Sequence, residues 1–157
     1  MASFHLAQYN VTTLRAPLDA PESAPFRDAL DHINALAESQ PGFVWRARGE
    51  GFDSDEPAQG QDPLYIVNLS LWESAKALAA FAYRTEHRDY VRRRGEWFLP
   101  HQGPSFVLWW VPAGTIPTGA ECETRLADLA AHGPTERAFD FRTRVPAPTL
   151  EFTGKSS

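Results

Sequence analysis

Apolar and polar positions divide the chain into segments of two kinds. Four short segments predict strands, because their side chains split between two faces or form brief apolar runs. They are 4–11, 43–49, 64–71 and 105–111. Three longer segments carry apolar residues at helical spacing, which predicts helices. They are 23–39, 74–97 and 118–132. Proline falls between the segments, as expected of a residue that ends helices and avoids central strands.

The segment boundaries carry signals of their own. Ser23 and Ser74 precede helical segments and are expected to cap them. Residues 50–63 are polar and rich in glycine, aspartate and proline, so we expect a long hairpin loop there. We expect a single domain over 1–145 and a flexible tail over 146–157.

The resulting order, β-α-β-β-α-β with a C-terminal helix, predicts an α+β fold of the ferredoxin-like, split βαβ type. In that arrangement helices cover one face of a four-stranded antiparallel sheet. The other face is also apolar here, and it would be a large exposed patch without a partner. We therefore expect a homodimer that packs sheet against sheet as a dimeric α/β barrel. Trp109 and Trp110 face opposite sides of their strand, and one of them is expected at that interface.

Composition narrows the function. The 157 residues include 43% hydrophobic and 22% charged positions, which is ordinary for one globular domain. Twenty acidic residues against fifteen basic ones, a net charge of -5, argue against nucleic acid as a partner. The single cysteine, Cys122, excludes a disulfide framework. Neither a secretory signal nor an apolar run long enough to cross a bilayer is visible, so we expect a cytoplasmic protein without a membrane partner.

Polar residues interrupt the two strands expected at the centre of the sheet. The even-numbered positions of 4–11 and 64–71 carry Gln8, Asn10, Asn68 and Ser70. A buried amide without a partner costs a few kcal/mol, so these side chains need mates, water or a ligand. One interpretation is a ligand pocket between sheet and helices. The other is that the amides bond to each other or to a dimer partner.

The 74–97 helix carries a second polar pattern. Tyr83, His87, Tyr90 and Arg94 recur along one stripe at the border of its buried face. A histidine there could act as a general base near neutral pH, or it could bind haem iron. The structural alternative is a half-exposed histidine stacked on a tyrosine. No glycine-rich phosphate loop, nucleophile elbow or non-haem metal spacing accompanies it.

Several segments together resemble a known family. They are INALAESQPGFVWR at 33–46, LYIVNLSLWES at 64–74, WESAKALAAFAYRTEH at 72–87, EHRDYVRRRGEWF at 86–98 and VLWWVPAGTIPT at 107–118. The segment 72–87 resembles the helix of antibiotic-biosynthesis-monooxygenase-like proteins. The other four are similar to an uncharacterised bacterial domain of unknown function within that dimeric α/β-barrel superfamily, and the resemblance covers roughly residues 4–142. This resemblance implies the ferredoxin-like fold, and relatives in the superfamily include oxygenases, haem-degrading enzymes and polyketide cyclases.

The resemblance implies a small-molecule enzyme that needs no cofactor. In that hypothesis His87 is the base that deprotonates an aromatic or polyketide-like substrate, and the anion then reacts with oxygen, cyclises or isomerises. Asn68 and Asn10 would hold the developing oxyanion, and Tyr83 would orient the ring. The remaining candidates for substrate contact are Gln8, Ser70, Phe81, Trp97 and Arg94.

Two alternatives stay open at this point. One is a haem enzyme with His87 as axial ligand. The other is a non-catalytic binding or interaction module, in which the polar residues bond to each other or across the dimer. In the second case, Asn68→Ala would destabilise the fold by about 1–3 kcal/mol, whereas loss of a pocket residue would be nearly neutral.

Overall fold

The chain folds, in a computed structural model, into the predicted order of strands and helices. The structure describes residues 4–17, 19–47, 52–53, 56–57, 64–82, 92, 94–100, 102–143 and 145–148. The strands are β1 (Phe4–Thr13), β2 (Phe43–Arg46), β3 (Phe52–Asp53), β4 (Glu56–Pro57), β5 (Tyr65–Trp72) and β6 (Phe106–Pro112). The helices are α1 (Ala24–Glu38), α2 (Ala75–Ala82), α3 (Arg94–Trp97) and α4 (Gly119–His132).

Four strands form one antiparallel sheet in the order β2-β5-β1-β6. The central strands, β5 and β1, are the third and the first of these four in chain order. This is the ferredoxin-like topology predicted from the sequence. The register of the central pair places Gln8 opposite Ser70 and Asn10 opposite Asn68. The polar positions of the two strands therefore form adjacent cross-strand pairs on one face of the sheet.

Local features differ from the predictions in two places, at Ser23 and within the loop 50–63. Ser23 does not cap α1: it ends a 3₁₀ turn, and its hydroxyl donates to the carbonyl of Ala16. Ser74 does cap α2, since its Oγ accepts from the backbone N–H of Ala77 at 3.0 Å. Within the expected loop 50–63, β3 and β4 pair as a small antiparallel ladder. Of the predicted 74–97 helix the structure describes α2, α3 and the helical position 92, and 83–91 and 93 lie outside the described residues.

Helices α1 and α2 cover the face of the sheet that carries the even-numbered residues of β1. Leu6 and Trp72 from the central strands pack there against Ile33 of α1 and against Leu78 and Phe81 of α2. The ring of Phe81 stacks on that of Trp72 with centroids 5.5 Å apart. This burial anchors the two helices to the sheet and leaves a space above the polar pairs.

The C-terminal helix covers the opposite face of the sheet. Its residues Cys122, Leu126 and Leu129 pack on the odd-numbered side chains of the strands, among them Tyr9 and Trp109. Trp109 is fully buried, and the described core side chains of this face, Tyr9 and Val107 among them, are buried as well. The expected homodimer was inferred from an open apolar sheet face. It stays a prediction, and α4 occupies the surface it was expected to use.

Gly42 joins α1 to β2 through a tight approach to α2. Its φ is +86°, a conformation that favours glycine, and a Cβ built on it would lie 2.5 Å from the Cβ of Ala77. Its carbonyl accepts from the backbone N–H of Glu73 at 2.8 Å. This contact fixes the entry of β2 beside the start of α2.

Candidate functional site

A cavity of about 350 Å³ lies between the sheet and helices α1 and α2. Its floor is the polar part of β1 and β5, and its walls are mostly apolar. The aromatic rings that line it are Phe26, Phe43, Trp72, Phe81, Phe98, Phe106 and Phe141. A mostly apolar cavity with a few convergent polar groups is the usual character of a small-molecule site.

The polar floor is a connected chain of amides. Asn10 Nδ2 donates to Gln8 Oε1 at 2.7 Å, and Gln8 Nε2 donates to Asn68 Oδ1 at 3.3 Å. Gln8 Nε2 also lies 3.5 Å from the backbone carbonyl of Asn68 and 3.5 Å from Ser70 Oγ. Trp72 Nε1 donates to that same hydroxyl at 2.9 Å. The amides thus bond to each other, as one interpretation predicted, and they also line the cavity, as the other did. We call the three side chains Asn10, Gln8 and Asn68 the amide relay.

The relay has a direction. The backbone carbonyl of Asn68 can only accept, so it fixes the amino end of Gln8 on the Asn68 side and the carbonyl end on the Asn10 side. The two asparagine amides then follow from their bonds to Gln8. Among the described residues, Asn68 Nδ2 and Asn10 Oδ1 bond to no protein group. The floor therefore offers a ligand a donor from Asn68 and an acceptor from Asn10.

Arg46 also lines the cavity, and the sequence reasoning missed it. In a regular strand, Phe43 and Arg46 would face opposite sides, since they are three positions apart. The register of β2 shifts between Phe43 and Trp45, and Arg46 pairs with Ser70 on the cavity side. Alternation over 43–49 could not reveal an irregularity of this kind.

The structure describes the other five predicted site residues to different extents. Phe81 lines the cavity. Trp97 is buried against Phe26 and Phe98 and is not among the described lining residues. Arg94 begins α3, and its side chain lies outside what the structure describes. Tyr83 and His87 lie outside the described residues altogether, so their roles stay predictions from sequence.

A second group of titratable residues lies on the other side of the sheet, beneath α4. Tyr9 and Tyr65 both donate their phenol hydrogen to Glu123, Tyr65 at 2.8 Å. Burial, reinforced by the bond to Glu123, raises the pKa of both phenols. Burial also raises the pKa of the Cys122 thiol to about 12. A thiol that holds its proton at neutral pH is a poor nucleophile, so this group binds α4 to the sheet rather than supplying reactive side chains.

The described lining contains no histidine, cysteine, methionine or tyrosine, the side chains that ligate haem iron. The described part of the cavity therefore does not supply an axial ligand. Elsewhere in the described ranges, no three histidine, cysteine, aspartate or glutamate side chains come together as a metal site. Within the same ranges no helix has the length and apolarity to cross a membrane.

Comparison with known protein families shows which family this chain belongs to. Residues 5–154 match a family described as a domain of unknown function, DUF3291. The chain belongs to the DUF3291 family. The match spans nearly the whole chain, from the second described residue of β1 past the end of α4. No curated protein matches this DUF3291 chain.

Solved structures are similar to the DUF3291 chain at low identity. Rv0793 from Mycobacterium tuberculosis is 12% identical over 73% of this chain and 98% of its own, with a TM-score of 0.48. SnoaB, a cofactor-independent oxygenase from Streptomyces nogalater, is 14% identical over 73% and 96%, with a TM-score of 0.44. A dabb family protein with a ferredoxin-like fold from Mesorhizobium loti is 12% identical over 73% and 99%, with a TM-score of 0.42. At these values, nothing about the activity of those proteins transfers to this one.

Proposed function

We propose that this protein is an enzyme that binds a flat aromatic or polyketide-like molecule in the cavity and removes a proton from it. The observation that carries the proposal is the combination of a ring-lined cavity with a directional amide relay on its floor. A purely structural network would not need a donor and an acceptor left facing a cavity of this size.

The reaction begins at an acidic C–H or phenol O–H of the substrate. The base takes the proton, and the electron pair of the broken bond moves onto an adjacent oxygen to give an enolate or phenolate. The Nδ2–H donors of Asn68 stabilise that developing negative charge, and Asn10 Oδ1 accepts from a neighbouring hydroxyl. His87 is the proposed base and Tyr83 orients the ring, both assigned from the sequence pattern.

The anion then follows one of three routes that need no cofactor. It can react with dioxygen as co-substrate, attack its own carbonyl group in a cyclisation, or take the proton back at another atom in an isomerisation. The relay serves all three routes equally, because each passes through the same oxyanion. A homodimer would have to form through a surface other than the sheet face beneath α4.

Oxygen uptake with 1,8-dihydroxyanthrone tests this proposal, since that probe is flat, phenolic and carries an acidic C–H. We expect uptake above the protein-free rate, lowered about a hundredfold in His87→Ala and about tenfold in Asn68→Ala. His132→Ala is the matched control, because His132 is an exposed residue at the end of α4 and should retain full activity. Under nitrogen in D2O, mass spectrometry of the same samples reports removal of the proton as incorporation of deuterium at the acidic carbon above the protein-free rate. Unchanged probe in both atmospheres would contradict the proposal.

An absorbance spectrum separates this proposal from the haem alternative. Haemin is added to the wild type and to His87→Ala, and the Soret region is compared. The proposal predicts no His87-dependent band. A Soret band that shifts on binding and disappears in the variant would replace the cofactor-free scheme with haem ligation.

A further inference from the structure

Arg46 is the one charged side chain among the lining residues that the structure describes. Its side chain is 11% exposed. A guanidinium stays charged at any physiological pH, and withdrawing it from water is costly unless charged or polar groups surround it. Arg46 therefore places a positive charge at the wall of a cavity whose other described lining residues are uncharged.

The backbone of β2 is irregular at the point that turns Arg46 toward the cavity. Phe43 lies opposite Trp72, Trp45 opposite Leu71 and Arg46 opposite Ser70. Trp72 and Ser70 are both on the cavity face, so Phe43 and Arg46 share that face. A regular strand would have directed Arg46 to the apolar face beneath α4. Bulges that redirect one side chain recur beside functional sites.

Contacts with Glu38 and Ala47 position the guanidinium of Arg46, which lines the cavity. Arg46 Nε lies 2.7 Å from Glu38 Oε2, and Nη1 donates to the carbonyl of Ala47 at 3.4 Å. Glu38 sits at the end of α1 and is not among the described lining residues. Across the sheet, Arg46 pairs with Ser70 and Ser70 pairs with Gln8. Arg46 therefore lies in the same cross-strand row as Ser70 and Gln8.

We infer that Arg46 binds an oxyanion substituent of the ligand, so that the cavity selects flat aromatic molecules carrying a negative group over their neutral counterparts. The inference rests on the proposed function and adds the charge class of the substrate. Arginine is suited to this role because its planar fork matches the geometry of an oxyanion. The ring system would lie along the aromatic walls while the oxyanion meets Arg46.

A matched pair of fluorescent probes tests the inference. 1-Anilinonaphthalene-8-sulfonate and N-phenyl-1-naphthylamine share one ring system and differ in the sulfonate. We expect the sulfonate probe to bind more tightly to the wild type. In Arg46→Met its affinity should fall about tenfold or more, as expected from loss of a charge-assisted hydrogen bond, while that of the neutral probe stays within about twofold. Glu38→Gln should raise the affinity of the sulfonate probe, because it removes a competing negative charge.

Each contrary result has a distinct meaning. If Arg46 serves only as the partner of Glu38, Arg46→Met and Glu38→Gln would lower the thermal midpoint similarly, and neither would change the ratio of the two affinities. That result would overturn the inference and leave the cavity proposal standing. Asn34→Phe narrows the cavity from α1. If it weakened neither probe in a protein that still unfolds cooperatively, the cavity would not be the binding site, and both proposals would fall.

Discussion

Asn10 lies directly opposite Asn68 on the two central strands, and Gln8 joins them through hydrogen bonds at 2.7 and 3.3 Å. The three amides form a line with one direction, fixed by a backbone carbonyl that can only accept. Polar side chains at the centre of a sheet are costly unless they are satisfied. Here they satisfy each other along the chain and present their outer groups to the cavity.

Removing Gln8 should destabilise the protein more than removing Asn68. Gln8 is 5% exposed and touches every member of the relay, so Gln8→Leu should lower the free energy of unfolding by about 1–3 kcal/mol. Asn68→Ala should cost less than about 1 kcal/mol, because Gln8 Nε2 keeps the backbone carbonyl of residue 68 and Ser70 Oγ. Urea unfolding at neutral pH measures both. The reverse order would support a non-catalytic module in which Asn68 is a structural residue.

The two phenols bonded to Glu123 should make the protein sensitive to alkali. Their pKa values are raised above the value near 10 that they have when unfolded. Above about pH 10 the unfolded chain therefore loses these two protons while the folded chain retains them. The free energy of unfolding consequently falls as the pH rises above about 10. Below about pH 10 both states keep the protons, and these groups cause no change in stability. Tyr9→Phe should be less stable than wild type at pH 8 and show a shallower decline above pH 10. An equal decline in both proteins would contradict the role of Tyr9.

Two glycines with positive φ allow the packing at Gly42 to be measured against backbone strain alone. Gly42→Ala should destabilise the fold by about 2–4 kcal/mol, because the new methyl would meet Ala77 at 2.5 Å. Gly103→Ala is the control: its φ is +74° with nothing within 4 Å, so only about 1–2 kcal/mol is expected. Thermal unfolding compares them. Equal losses of stability in the two variants would mean that the contact between residue 42 and Ala77 adds no cost beyond backbone strain.

The order of elements was predictable because each segment carries its own period, and proline separates the segments. The shared face of Asn10 and Asn68 followed from that order together with strand alternation, whereas the register that sets them opposite each other came from the structure. The bulge in β2 was not predictable, since a register shift depends on both strands and leaves 43–46 with an ordinary pattern. For that reason the sequence reasoning missed Arg46.

The sequence also predicted only in part what packs on the sheet face that carries the odd-numbered residues of β1. The apolar odd-numbered residues of β1, β5 and β6 indicated that something must pack on them, and a second copy of the chain was the expected partner. The structure places α4 there, with Glu123 bonded to Tyr9 and Tyr65. A helix that carries its own polar contacts to the sheet cannot be assigned to one face from hydrophobic spacing alone. His87 and Tyr83 lie outside the described residues and stay predictions.

The most direct test of the central claim is the dissociation constant of 1,8-dihydroxyanthrone, measured under nitrogen for the wild type and Asn68→Ala. The cavity account predicts saturable binding that weakens about tenfold in the variant while its thermal midpoint stays close to that of the wild type. Equal affinity in the two proteins, or a loss that only accompanies unfolding, would contradict the claim that the amide relay holds the ligand.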